Sequence, residues 1–371
     1  MQDLSVLVIG GGIGGLTSAI ALRQRGFTVT VIEKDPSWSV YGVGIIQQGN
    51  VLRAVAELGL LEGYVASGVG FDAVEVFLPD GTRIARVPSP RLLEGYPANL
   101  GVGRPALHKL LGDAALDSGA EVRLGVTATN IANGADGAIV TFSDGSTGAY
   151  DLVIGADGVY SQTRAMLFPE AETPQFTGQA VWRYNLPRTP GLDALHAYNG
   201  RIGVGLVPIG QDVMYLYATT PEPGNPRYPR EGLAAAMRSR LEGCAPAIRD
   251  LAEQITDDDE VVYRPLEGML VEGPWHRGRV VLLGDAVHAT TPHLGQGAGM
   301  AIEDSLVLAE ELARRATVEE ALTAYRARRF DRCAYIVRAS LAICMGQLGK
   351  GPLVDNAKAT AEMFHFTAQP I

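Results

Sequence analysis

Apolar positions along this chain fall into short continuous runs separated by glycine-rich turns. The first sixty residues show the arrangement most plainly. Val6-Leu7-Val8-Ile9 is an apolar run of the kind carried by a strand buried on both faces. Gly10-Gly11-Gly12-Ile13-Gly14-Gly15 follows at once, and Leu16 to Arg25 then reads as a helix with Gly26 as its C-terminal cap. Thr28-Val29-Thr30-Val31-Ile32 is a second, β-branched strand that ends at Glu33. Two later runs, Asp151 to Gly155 and Gly278 to Gly284, also read as buried strands, and each leads into a turn carrying an aspartate. A helix is expected from about Ala298 to Arg315. Long helical segments are expected over 317–347, where Ala321, Leu322, Tyr325 and Phe330 fall at roughly helical spacing. The pattern alternates over Val74 to Val87 around Asp80-Gly81, the signature of a hairpin, and again over Gln179 to Leu186, Ile202 to Pro208 and Val213 to Thr219. Beyond Gly351 it fades, and 346–371 reads as a loosely defined C-terminal tail.

The resulting class is α/β: a Rossmann-like nucleotide-binding domain interrupted by an antiparallel sheet. Glycine content sharpens this picture. There are 45 glycines in 371 residues, well above the usual ~7%, with no collagen-like period. Gly10, Gly12 and Gly15 fit G-x-G-x-x-G between a strand and a helix. Gly10 would permit the tight turn, Gly12 would let backbone approach a pyrophosphate, and Gly15 would let helix and strand pack closely. The helix N-terminus offers free N–H groups to phosphate. Glu33 can accept hydrogen bonds from ribose hydroxyls. This unit alone does not separate NAD from FAD.

Charge and cysteine content exclude other classes. The net charge is −10, so a nucleic-acid footprint is not expected. Cys244, Cys333 and Cys344 lack metal-ligand or disulfide spacing, which predicts no metal site and fits a reduced, cytoplasmic setting. Leu4 to Leu22 is uncharged and has the length of a membrane span, but its glycines break the apolar helix, so no membrane anchor is expected. Asp3, with no positive charge beside it, fits a signal peptide poorly. The run Asp257 to Glu260 reads as a solvated loop.

Two further motifs complete a pattern. Asp157-Gly158 is followed by Arg164, and Gly284-Asp285 is followed by Pro292 and the glycine-rich loop Gly295 to Gly299. With the first motif, in this order and over about residues 1–340, they resemble the group A flavoprotein monooxygenases, the para-hydroxybenzoate hydroxylase family. The resemblance implies a glutathione-reductase-type FAD-binding domain made of 1–70, 98–170 and 265–345, and a substrate domain made of 71–97 and 171–264. It implies that Gly10, Gly12, Ile13, Gly14 and Gly15 hold the FAD pyrophosphate, that Glu33 holds the adenosine ribose, and that Lys34 lies beside the adenine. Arg104 in Gly103-Arg104-Pro105 would reach the phosphate or ribityl region. Val126, taken as a strand residue, would contact adenine through its backbone, and Asp157 would have a structural and nicotinamide-related role. Asp285 would bind the ribityl chain. Gly44, Pro292, Gly295, Gly297, Ala298, Gly299 and Met300 would lie on the flavin side, with Gly297 to Met300 at the isoalloxazine ring. Gly49 stands before Asn50 where that family usually has proline, a local departure.

In such enzymes NADH or NADPH reduces FAD, O₂ forms a C4a-hydroperoxide, and an electrophilic oxygen passes to an electron-rich aromatic ring. The resemblance implies an arginine on a sheet strand facing the flavin where Arg183 stands, in Val181-Trp182-Arg183-Tyr184; it is the substrate-side candidate, and a guanidinium there can bind carboxylate or phenolate bidentately. Its alternative is a solvated strand arginine. Tyr215 and Tyr217 share a strand face and can donate to a phenolate or simply pack. His293, after Pro292, is a candidate that faces the pocket or does not, whereas His288 reads as structural. The absence of a second Rossmann fingerprint predicts that NAD(P)H binds transiently at the flavin surface. No nucleophilic triad or halogenase signature is present. The expected partners are thus a small aromatic substrate, O₂ and NAD(P)H, the chain acting as a monomer or homodimer. A flavin-dependent dehydrogenase or reductase without oxygen insertion is the alternative, and a non-catalytic flavin-binding protein the third reading.

Overall fold

The computed structural model describes residues 4–371. The strand Ser5–Ile9 pairs in parallel with Thr28–Glu33 on one side and Leu152–Gly155 on the other. The sheet extends to Glu121–Leu124 and Val280–Leu282, also parallel, and ends on the antiparallel pair His276–Arg277. Its four central strands are largely buried on both faces, as continuous apolar runs require, while the edge strands Glu121–Leu124 and His276–Arg277 are partly exposed. The first helix, Ile13–Arg23, begins three residues earlier than its apolar pattern suggests, so Gly14 and Gly15 belong to it. It packs against the helix Gly297–Arg314, and close approach is possible because Gly14 meets Leu283 and Ala301 where a Cβ would stand.

A seven-stranded sheet lies across the nucleotide domain. Its order is Val262–Gly268, Gln175–Pro187, Val213–Pro221, Gly203–Pro208, Leu195–Tyr198, Ala73–Phe77 and Arg83–Pro88. All pairings are antiparallel except Leu195–Tyr198 with Ala73–Phe77. The first of these strands runs past 264 into the segment assigned from sequence to the nucleotide domain. One face of the sheet buries Trp182, Leu216, Met214 and Val204 against the helices Leu233–Leu241 and Pro246–Ala252. Its other face looks toward the nucleotide domain and roofs a cavity. Two three-stranded antiparallel sheets complete the architecture: Gly44–Gln48, Asn99–Gly103 and Gly68–Phe71; and Ala128–Asn133, Ala138–Phe142 and Thr147–Tyr150.

Three sequence expectations need correction here. The segment 317–347 is a single helix, Val318–Gln347, opened by a capping box between Thr317 and Glu320. The tail beyond 351 is not loose: Asn356–Thr367 is a helix, capped by Asp355 and burying Met363 and Phe364. Its following residues are clamped by arginines, with Arg53 donating to Ala368 O (2.8 Å), Arg332 to Gln369 O and Pro370 O (2.8 Å each), and Arg328 to Ile371 O (2.9 Å). A twelve-residue helix is marginal alone, and these long-range contacts, invisible in local periodicity, hold it. Val126 lies in the link between two strands rather than in one, and its N–H donates to Glu33 O (3.0 Å). Among the described residues, no helix is long and apolar enough to cross a membrane.

Candidate active site

The site is a cavity of about 880 Å³ between the parallel sheet and the seven-stranded sheet. Its nucleotide end is built by the glycine turn. Gly10 sits at φ +111°, and a Cβ there would lie 2.4 Å from Ala156 O, so only glycine makes this corner. At Gly15 a Cβ would lie 1.9 Å from Gly10 O, which fixes helix against strand. At Gly12 a Cβ would meet nothing within 4 Å; it would project into the open cradle. The first amide used inside the helix is that of Leu16, bonded to Gly12 O, so the amides of Ile13, Gly14 and Gly15 remain free for an anion. This is the shape and polarity a pyrophosphate requires.

Glu33 closes that end. Its two oxygens accept from Gly11 N (2.8 Å) and Asp35 N (2.9 Å), and each retains a lone pair. Lys34 stands exposed at the rim, and Val126 lies outside the cavity wall. Two residues outside the candidate set organise the turn, Trp38 and His108, the latter an isolated histidine expected to be structural or exposed. Trp38 Nε1 donates to Gly11 O (2.9 Å), and His108 Nε2 contacts the same oxygen at 3.0 Å, the two rings meeting edge to face.

The Asp157 carboxylate is consumed structurally: it accepts from Ser161 Oγ and from both Thr163 N and Thr163 Oγ1 (2.9 Å each), opening the helix Gln162–Leu167. Arg164 then donates to Val159 O (3.0 Å) and Ala286 O (2.9 Å), tying this turn to the Gly284–Asp285 corner. Asp285 faces the cavity and makes no hydrogen bond among the described residues, so it is free for hydroxyl groups. Burial on its other sides raises its carboxyl above the ordinary value, opposed by nearby His288 and Arg104.

Pro292, Gly295, Gly297 and Ala298 line the cavity. Gly299 and Met300 do not. Gly299 packs on Val51, and the Met300 amide is already bonded to Gln296 O (2.9 Å) within the helix. The available amides of that helix start are therefore those of Gly297, Ala298 and Gly299. Asn50 holds this loop by donating to Gln296 Oε1 (3.1 Å) and Glu303 Oε1 (2.9 Å), which shows what the segment after Gly49 does without proline.

The sheet side carries the substrate candidates. Arg183, Tyr215 and Tyr217 all face the cavity. Arg183 sits opposite Tyr217 in register, and the two tyrosine rings are 6.0 Å apart. Glycines make room for both rings: a Cβ on Gly44 would fall 2.2 Å from Tyr215, and one on Gly205 would fall 2.0 Å from Tyr217. Burial raises both phenols above their ordinary value, against the pull of the nearby Arg183 guanidinium. Arg183 is pushed down to about 10, first by burial and then by the second guanidinium, Arg104. Neither guanidinium donates a hydrogen bond to protein among the described residues. Two desolvated, unpaired cations in one cavity call for an anionic ligand.

His293 lines the cavity but is held on both ring nitrogens, Nδ1 by Thr291 Oγ1 (3.0 Å) and Nε2 by Gln347 Oε1 (3.1 Å). Burial pushes it down to about 4, so it stands neutral at pH 7. His288 is fully buried and paired with Asp304 (2.6 Å), which itself is held near 2 despite burial by His288 and Arg329. His288, Asp304 and Cys333 place ligand-type atoms within 4.8 Å of one another, yet the Asp304 oxygens are already taken by His288, Gly284 N (3.1 Å) and Arg329 Nε (2.7 Å). That arrangement is a structural ion cluster.

Comparison with known proteins gives the family and the fold. Residues 3–340 match the family described as FAD binding domain. The chain is 32% identical over 362 residues to aurachin C monooxygenase/isomerase of Stigmatella aurantiaca, covering 94% of this chain and 90% of that one. It is 32% identical over 356 residues to 2-heptyl-3-hydroxy-4(1H)-quinolone synthase of Pseudomonas aeruginosa, with the same shares. Among solved structures, Klebsiella pneumoniae HpxO complexed with FAD and uric acid superposes with a TM-score of 0.82 at 27% identity, covering 98% of this chain and 92% of that one.

Proposed function

The chain belongs to the FAD-binding-domain family of flavoprotein monooxygenases, and from that premise we propose that it hydroxylates a small aromatic or heteroaromatic molecule using NADH or NADPH and O₂. The balance is one aromatic C–H converted to C–OH, the second oxygen atom leaving as water and NAD(P)H oxidised to NAD(P)⁺. FAD, when bound, supplies the electron transfer and oxygen activation. The protein's share is placement and exclusion of water. The free amides after Gly12 would hold the pyrophosphate, Asp285 the ribityl hydroxyls, and the amides of Gly297 and Ala298 the electron-rich edge of the ring system. Arg183 would bind an acidic or phenolic group of the substrate, and the Tyr215 and Tyr217 hydroxyls would donate to its oxygen. His293, neutral and tied at both ring nitrogens, would act as a fixed wall that offers its ring face rather than a hydrogen bond.

The observation that carries this reading is the pair of unpaired guanidiniums, Arg183 and Arg104, in the same cavity as the nucleotide cradle. The experiment is NAD(P)H oxidation by FAD-loaded protein against phenols, hydroxybenzoates, hydroxypyridines, purines and quinolones, with product mass recorded. A stimulated rate with a product heavier by one oxygen supports hydroxylation. Stimulated oxidation with no oxygenated product from any compound would favour a dehydrogenase or reductase instead.

A further inference from the structure

The register of the seven-stranded sheet lays out the cavity roof in rows. One row runs Arg183, Tyr217, Gly205, Ala197, Val76 across five adjacent strands. Strands stand about 4.8 Å apart, so this row spans roughly 19 Å from its cation to its last apolar residue. The row beside it ends in the pair Leu195 and Val74. Along these two rows the roof therefore changes from cationic, through phenolic, to apolar, with Asn199 the polar residue at the edge of the far end. Gly205 marks the change, because the Tyr217 ring lies over it.

The C-terminal helix Asn356–Thr367 packs on the Arg83–Pro88 strand, at the apolar end of that sheet. It presents Asn356, Thr360, Met363 and Phe364 to the cavity, one face at helical spacing. Arg53, Arg328 and Arg332 fix the chain directly after it, so this wall is a built element.

We infer that the cavity continues beyond the ring site into an apolar annex, bounded by Val74, Val76, Leu195, Ala197, Met363 and Phe364, that takes a linear aliphatic substituent carried by the aromatic substrate. This rests on the ring-hydroxylation reading for the position of the head group. A ligand that is polar at one end and aliphatic at the other matches the order of side chains along the roof. Small compact substrates leave the annex wall unused.

The probes are 4(1H)-quinolones bearing methyl, butyl or heptyl at position 2, bound to FAD-loaded protein and followed by the change in flavin absorbance. Affinity in the unaltered protein should tighten on the order of fourfold per added methylene over the first carbons, the value for burying CH₂. Ala197→Phe fills the annex from the sheet and Thr360→Phe fills it from the helix. In both, the gain per methylene should fall below about twofold, while the methyl compound binds within about threefold of its original affinity. Chain-length-independent binding in the unaltered protein overturns the annex. So does an unchanged heptyl affinity in both variants, or equal weakening of methyl and heptyl compounds. Product mass is read separately. Chain-length-dependent binding with no oxygenated product would leave the annex standing and remove the hydroxylase reading.

Discussion

Gly12 and Gly15 belong to one motif, yet the structure assigns them opposite failures when a single methyl group is added. At Gly15 the new Cβ would sit 1.9 Å from Gly10 O, a backbone atom that cannot move without shifting the strand or the helix. Helix propensity favours alanine over glycine by up to about 1 kcal/mol, but overpacking against backbone costs about 1–3 kcal/mol or more, so Gly15→Ala should lower stability even without FAD. Gly12 has φ −83° and ψ −172°, a conformation any residue adopts, and its Cβ would meet no protein atom. Gly12→Ala should leave the apo-protein as stable as before, or slightly more so through the unfolded state. Its cost falls on the cofactor. Displacing a pyrophosphate from two of the free amides forfeits hydrogen bonds to a charged acceptor worth about 1.5–3 kcal/mol each, so FAD affinity should fall by roughly 10² to 10⁴. The assay is a thermal melt of both apo-variants beside an FAD titration followed by flavin fluorescence. Wild-type FAD affinity in Gly12→Ala would refute the placement of the pyrophosphate at this turn, and an unchanged apo melt in Gly15→Ala would refute the packing argument.

Three other changes test separate parts of the site. Arg183→Ala should raise KM and lower the yield of oxygenated product per NAD(P)H, with FAD content unchanged; unaltered turnover and coupling would reject its substrate role. Gly205→Ala should displace the Tyr217 ring and weaken substrate binding by about tenfold, again with normal FAD content, read by ligand titration of the flavin spectrum. Asp304 is held near 2 in the folded protein against an ordinary 3.8. Its carboxylate therefore contributes stability, about 2 kcal/mol, that is fully present above the ordinary value and is lost as pH falls toward 2. Asp304→Asn should remove that acid limb from a plot of melting temperature against pH, and at pH 7 should cost about 3–5 kcal/mol because His288 loses its counter-charge and Arg329 one of its two.

What was legible in the sequence was what is local in the chain. The βαβ unit, the two later strand-to-aspartate corners and the alternating strands of the roof all announce themselves within ten or fifteen residues. Tyr215 and Tyr217 could be placed on one face because strand alternation sets side-chain direction, whereas Arg183, on another strand, was assigned to the substrate side from the family resemblance. The misses share a different cause. Met300 was expected at the ring because it follows the loop, but a helix start leaves only its first amides free, and the register of that start depends on Gln296 and Asn50, far apart in sequence. The two nitrogens of His293 are engaged by Thr291 nearby and by Gln347 from a distant helix. The crowding of Arg104 against Arg183 joins a helix start to a sheet strand. The C-terminal helix had no strong periodic signal because arginines elsewhere in the chain supply its anchorage.

The buried ions beneath the flavin-side loop follow from the same nonlocal logic. Asp304 accepts from Gly284 N and from His288, so one carboxylate fixes the backbone at the corner that presents Asp285. Arg329 pairs with Asp304 (2.7 Å) and with Glu303 (2.8 Å), and Glu303 holds Asn50, which holds Gln296 at the start of the ring-side helix. Arg332 joins Glu303 to the C-terminal residues. Apolar side chains would pack this region at lower desolvation cost, but they offer no directional bond to Gly284 N or to Gln296. A site that must hold a carboxylate and a row of free amides at fixed positions around one flavin needs those bonds. The buried charges are therefore the means by which the corner at Asp285, the loop at Gly295 to Ala298 and the wall formed by the C-terminal helix keep one mutual geometry.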